Sequence, residues 1–170
     1  MNNTYALAFF NVASQRGKLD QIYDSLRLFY EVYGSEQTLK TFLETPLVNV
    51  DEKKDLLVKN FEALDADVIY FLNILADNNA FVNFDEIFED FQKYYYDFMH
   101  IKEVVVKVNK PLDEAEKQVI KKSFDKMYPL EEIRIREVVS ADDGGYQIFV
   151  DGKRISSSII EGLDSLKKSI

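Results

Sequence analysis

Residues 19–33 read LDQIYDSLRLFYEVY. Leu19, Ile22, Tyr23, Leu26, Phe29, Tyr30 and Tyr33 recur there at i, i+3, i+4 and i+7, the spacing of one helical face. Upstream, Tyr5, Ala6, Phe9, Phe10 and Ala13 form a shorter stripe that ends before Gly17. Downstream, Gly34 is expected to close the helix, as Gly closes many helices. Ser35 is expected to cap a third helix that runs through Phe42 and Leu43 and stops at Pro46. Asp51 is expected to cap a fourth, carrying Leu56, Leu57, Val58 and Phe61. A fifth, from about Asp65 to Ala76, is apolar almost all round, with Val68, Ile69, Phe71, Leu72, Ile74 and Leu75. Such a helix is buried or offers a second face to a partner. Asn78 and Asn79 tolerate the left-handed conformation that ends a helix. The sixth helix puts Phe84, Ile87, Phe88, Phe91, Tyr95 and Phe98 on one face, opposite Asp85, Glu86, Glu89 and Asp90.

The pattern changes after His100. Val104, Val105, Val106 and Val108 form a β-branched run that favours a strand, ended by Lys110-Pro111. Ala115, Val119, Ile120, Phe124 and Met127 return to helical spacing. Ile133 and Ile135 alternate with Arg134 and Arg136, and Tyr146, Ile148 and Val150 alternate again, as in half-buried strands. Asp151-Gly152 is a two-residue hairpin turn signal. Ile155, Ile159, Leu163 and Leu166 suggest a last helix. The expected fold is therefore mainly α: a six-helix bundle over residues 1–102, then a small α/β domain over residues 103–170.

Composition narrows the function. The chain has 170 residues, 46% of them hydrophobic, and no Cys. Disulfides, thiolate metal sites and a Cys nucleophile are excluded. Residues 1–5 hold no basic region followed by an apolar run, so no signal peptide is expected, and no apolar stretch reaches bilayer length. The protein is expected to be soluble or to sit at a membrane through a partner. The formal charge is -9. Residues 1–100 hold 8 Lys/Arg against 17 Asp/Glu, and residues 101–170 hold 13 of each. Nucleic acid and anionic lipid are poor partners for the acidic part, because phosphate binding relies on Lys and Arg. A basic or amphipathic protein segment suits it better.

No set of residues makes an active site. The single histidine, His100, follows Asp97 at an acid-x-x-His spacing. A di-metal carboxylate bundle needs two such pairs, so a solvated or capping role near a helix end is the better reading. Asp85, Glu86, Glu89 and Asp90 occupy the polar side of an amphipathic helix, a solvated face rather than an acid–base pair. Gly144-Gly145 lacks the pattern of a phosphate loop and reads as a tight approach to the next strand. Ser156-Ser157-Ser158 has no histidine for a triad. Tyr94-Tyr95-Tyr96 has Lys93 beside it but no basic cluster, and it reads as core and interface. No metal and no cofactor are expected. A metal-dependent bundle enzyme is a rival that the lone histidine disfavours.

Taken in order, several segments resemble the delta subunit family of bacterial F-type ATP synthases, counterpart of the mitochondrial oligomycin-sensitivity-conferring protein. Tyr5-Ala6-Leu7-Ala8-Phe9-Phe10 is similar to the family's opening, and Phe42-Leu43-Glu44-Thr45-Pro46 to its Leu-x-x-Pro stop. Phe71-Leu72-Asn73-Ile74-Leu75-Ala76-Asp77-Asn78 resembles its fifth-helix motif. Val104 to Val108 with Pro111-Leu112 resembles the start of its C-terminal part. Gly144-Gly145-Tyr146-Gln147-Ile148, Asp151-Gly152-Lys153 and Ser158 resemble its C-terminal signature. Asn79-Ala80 stands where the family often has Gly-Arg, and residues 156–163 lack its usual arginines.

The resemblance implies a non-catalytic stator subunit on the cytoplasmic face of the cell membrane, within a complex that makes ATP from a proton gradient. The N-terminal domain would grip the N-terminal helix of an alpha subunit on the catalytic head. The C-terminal domain would hold the b subunits of the peripheral stalk. A groove between the first and fifth helices could take an amphipathic helix. Tyr5, Ala8, Phe9, Phe71, Leu72 and Leu75 are expected to line it, and Leu72→Asp is expected to weaken binding while leaving the domain folded. The alternative is a stand-alone helical regulatory or scaffolding adaptor.

Overall fold

A computed structural model of the chain describes residues 2–141 and 146–155. It is mainly helical with a small four-stranded sheet. The chain divides into two units, Met1–Tyr95 and Tyr96–Ile170. The division falls inside the sixth helix, ahead of the boundary expected at 102/103.

Unit 1 begins with α1 (Asn2–Gln15). Gly17, at φ +65°, lets the chain turn back on that helix. The Gly17 N–H reaches the Ser14 carbonyl and the Lys18 N–H reaches that of Ala13, so two of the helix's last carbonyls are satisfied. Next, α2 (Leu19–Ser35) buries Leu19, Ile22, Tyr23, Leu26, Phe29 and Tyr33, the stripe read from its spacing. It does not stop at Gly34. The Ser35 hydroxyl donates back to the Val32 carbonyl at 3.1 Å and does not cap the next helix. A hydroxyl in a last turn has that carbonyl within reach, so the local bond wins. The third helix, α3 (Gln37–Glu44), starts after Glu36 with no side-chain cap and ends ahead of Pro46.

In α4 (Val50–Asn60) the cap is Asn49, whose side chain accepts the Asp51 N–H at 2.9 Å. Asp51, expected as the cap, sits in the first turn, where its charge complements the helix dipole. For α5 (Ala66–Asp77), Asp65 accepts the Asp67 N–H, and its own N–H donates to Ser25 Oγ at 2.8 Å. Asn79, at φ +50°, ends that segment. A 3-10 turn (Ala80–Asn83) leads into α6 (Phe84–Met99).

The core of unit 1 is aromatic. Phe29, Tyr33, Phe81 and Phe84 are essentially unexposed, with Phe29 and Tyr33 edge-on to Phe84 at 5.5 and 5.0 Å. Tyr30 stacks on Phe88 at 4.0 Å and Tyr23 on Tyr95 at 3.9 Å. Such pairs add about 0.5–1.5 kcal/mol beyond the area they bury. The Tyr33 hydroxyl stands 2.6 Å from Glu44 Oε1 and 3.1 Å from the Phe81 carbonyl, sharing one proton between them. Burial, then the Glu44 carboxylate, raises its pKa well above the ordinary tyrosine value. Tyr33→Phe leaves a half-buried carboxylate and a carbonyl without that donor. It is expected to lower stability by about 1–2 kcal/mol in a denaturant titration.

Unit 2 holds β1 (Ile101–Val108), α7 (Glu114–Met127), β2 (Glu132–Val139), β3 (Gln147–Val150) and β4 (Lys153–Arg154). Its sheet order is β2-β1-β3-β4. β1 and β2 are parallel and joined through α7, while β3 and β4 are antiparallel neighbours. Asp151 and Gly152 both have positive φ, the geometry a tight two-residue hairpin needs. Asp113 and Glu116 form a reciprocal capping box at the start of α7. Val104, Val106, Val108, Ile120, Phe124, Ile133, Ile148 and Val150 close the core between α7 and one sheet face. His100, at φ +53°, turns the chain out of α6, and its carbonyl accepts the Glu132 N–H at 2.7 Å. The suggested last helix lies outside the described residues apart from Ile155, which packs against this core.

Candidate functional site

The expected groove residues fall into two sets. Phe9 on α1 stacks on Phe71 of α5 at 4.1 Å, with rings 4° from parallel. Both are buried. At the α5 N-terminus Asp67 pairs with Arg16, which follows α1. Together these contacts set the two helices side by side and antiparallel. Phe9 also meets Phe91 of α6 at 5.4 Å, and Phe10, one position round, packs on Phe91 and Tyr94 of that helix at 6.3 and 5.8 Å. So α1 lies between α5 and α6, and the Phe9–Phe71 stack closes the α1–α5 seam.

Leu72 and Leu75 are fully buried at 0% exposure and face inward with Val68. In the free chain they back the seam and present no surface. Tyr5 is half-buried and Ala8 exposed. At 100° per residue, Tyr5, Ala8 and Val12 flank Phe9 on the side away from Ala6, Phe10 and Ala13. On α5, Tyr70 and Ile74 flank Phe71 on the side away from Val68, Leu72 and Leu75. Val12 is 40% exposed, Tyr70 69% exposed, and Ile74 partly buried. Sequence reasoning missed these three. The signal for them is the helical period itself: they stand one step off each buried stripe, where an apolar residue has no place in the core.

The seam offers apolar shape and no reactive group. Among the described residues no cluster of three or more His, Asp or Glu is placed to hold a metal ion. Asp85, from the acidic side of α6, accepts a 2.8 Å bond from Lys40, and the hydrogen bond raises the Lys40 pKa. That pair ties α3 to α6.

In unit 2, the Tyr146 hydroxyl donates to Glu116 Oε1 at 2.8 Å, tying the start of β3 to the capping box of α7. Gly144, Gly145 and Ser158, the rest of the expected C-terminal motif, lie outside the described residues.

The model of the family described as "ATP synthase delta (OSCP) subunit" matches residues 1–170. The chain belongs to that family. Relatives include the ATP synthase subunit delta of Bacillus velezensis, 26% identical over 171 residues, covering 100% of this chain and 94% of that protein. The subunit delta of Bacillus cereus is 28% identical over 159 residues, covering 93% and 88%. A chain in the cryo-EM structure of the Toxoplasma gondii mitochondrial ATP synthase hexamer has the same fold. Its TM-score is 0.72 at 20% identity, over 99% of this chain and 96% of that one. This delta-family chain is thus a non-catalytic subunit of the ATP synthase complex, in its peripheral stalk. The complex is membrane-associated, and no helix among the described residues is long and apolar enough to cross a membrane.

Proposed function

We propose that this delta-family chain is the joint between the catalytic head and the peripheral stalk, and that it resists rotation while a proton gradient drives ATP synthesis. In this reading the six N-terminal helices form a bundle over residues 1–102 that grips the N-terminal helix of an alpha subunit. Residues 103–170 hold the b subunits, on the cytoplasmic face of the membrane. Rotary catalysis needs the head held still against its rotor, and a rigid two-ended link supplies that.

One observation carries the alpha-subunit half. The antiparallel α1–α5 seam has the Phe9–Phe71 stack as its floor and exposed or half-exposed Tyr5, Ala8, Val12, Tyr70 and Ile74 on its walls. An amphipathic helix laid there becomes one more member of the bundle. A nanomolar joint needs about -12 kcal/mol, within reach of a few aromatic and aliphatic anchors. The acidity of residues 1–100 favours a segment with basic residues outside its apolar stripe. Family membership leaves the stand-alone adaptor without a supporting observation.

Calorimetry with the alpha N-terminal peptide tests this reading. Ala8→Arg puts a long cation on one wall, and Tyr70→Asp removes the other wall's main anchor. Both positions are exposed, so the melting temperature is expected to hold. Each variant is expected to bind at least about tenfold more weakly, the loss of roughly one anchor. Two unchanged isotherms would remove the seam from the interface.

A further inference from the structure

The sheet of unit 2 has a second face. Successive residues of a strand point to opposite sides, so Val104, Val106, Ile148 and Val150 face α7, while Val105 and Phe149 face away. The register places four residues in one row across all four strands: Arg136 on β2, Val105 on β1, Phe149 on β3 and Arg154 on β4. The two central positions are apolar and half-buried. The two outer ones are arginines and exposed. One residue pair along, exposed Lys107 stands 4.8 Å above the Phe149 ring. Arg136 donates to Glu103 on the same face at 2.9 Å. Arg134, two residues before Arg136 on the same side of β2, pairs with Glu132 at 3.0 Å. This face therefore has an apolar middle, a cation on either edge strand, and four cations against two acids.

We propose that this face docks a single partner helix whose apolar stripe is bordered on both sides by Asp or Glu. The dimensions and the charge pattern carry the assignment. Three strand spacings separate β2 from β4 by about 14 Å. A helix with its side chains is about 10–12 Å across. Lying over β1 and β3, it would set its apolar stripe on Val105 and Phe149 and bring flanking carboxylates within reach of Arg136 on one side and Arg154 on the other. Guanidinium groups suit this task, because they bind carboxylates in a planar, bidentate geometry. A helix with basic flanks would meet like charge on both edges, so the face also selects against the class of segment proposed for the acidic unit. The inference rests on the reading that this unit holds the stalk, and it names the face used and the chemistry of the stalk helix.

The test uses the full chain and the soluble part of the b-subunit dimer from the same organism, followed by calorimetry. R136E/R154E is expected to weaken binding at least about tenfold and to flatten its salt dependence. The charge-matched control K121E/K122E, on exposed positions of α7, is expected to change nothing. K107E, outside any ion pair among the described residues, reads the same effect should the double variant melt early. Undiminished binding by both R136E/R154E and K107E, with wild-type binding present, overturns the inference and leaves the stalk reading standing. Absence of wild-type binding removes the stalk reading and the inference with it. A concentration-dependent self-association lost in R136E/R154E assigns the face to a second copy of the chain and also overturns the proposal.

Discussion

Leu72→Asp is expected to unfold the helical unit. Leu72 is at 0% exposure, on the inward side of α5 with Val68 and Leu75. Emptying such a site of its leucine costs about 2–5 kcal/mol in a well-packed core. The carboxylate adds a desolvation penalty of several kcal/mol, or must take a proton to avoid it. The sum is comparable to the whole stability of a domain, about 5–15 kcal/mol. The expected result is loss of the cooperative thermal transition of unit 1, seen by far-ultraviolet circular dichroism, with loss of its near-ultraviolet aromatic signal. A wild-type melt would contradict the placement of Leu72. Lost partner binding in this variant would report unfolding, which is why Ala8 and Tyr70 are the positions that probe the seam.

Lys53→Met is expected to do the opposite. Lys53 is at 0% exposure on α4, and its Nζ has no hydrogen-bond acceptor among the described residues. Its neighbour Lys54 pairs with Asp77 at the end of α5. Asn73 Oδ1, on α5, is also buried without a donor among those residues. Burial lowers the Lys53 pKa below its ordinary 10.5. Methionine keeps much of the length and volume and removes the charge. Replacing an uncompensated buried ion with an apolar side chain is expected to stabilise by about 1–3 kcal/mol. For a domain of this size that raises the melting temperature by about 4–8 °C per kcal/mol.

The pH dependence has a definite sign. The folded state holds the Lys53 proton less tightly than the unfolded chain, so the unfolded chain binds more protons between the lowered folded pKa and 10.5. The wild type therefore gains stability as pH rises through that window. The advantage of Lys53→Met is full below that window and shrinks across it. Calorimetric melts at neutral and alkaline pH check both statements. An equal or lower melting temperature at neutral pH would contradict them.

Much of the fold was legible because it rests on period. The stripe from Leu19 to Tyr33, the alternation at Ile133–Ile135 and Tyr146–Val150, and the Asp151-Gly152 turn each carry a local geometric signature, and the structure forms each of them. Helix ends were less legible. Gly34 and Ser35 look like a stop and a start, yet α2 runs through both. Asp51 looks like a cap, yet Asn49 does the capping. Several side chains near a helix end can satisfy the free backbone groups, and local sequence does not rank them.

The candidate site divides in the same way. Sequence alone determined that the chain is mainly helical with a β-containing tail, that its negative charge lies in the first hundred residues, and that no Cys or second His exists for catalysis. It also showed α5 as apolar almost all round. It did not show which side of α5 is spare, because a wheel records directions and not neighbours. Only the tertiary structure decided that, by stacking Phe71 on Phe9, sending Leu72 and Leu75 into the core and leaving Tyr70 outside. Only strand register placed Arg136, Val105, Phe149 and Arg154 in one row, from four strands spread over about fifty intervening positions of chain. The physical reason is common to both: a helical or strand period is a short-range property of the backbone, whereas a surface is made by long-range pairing.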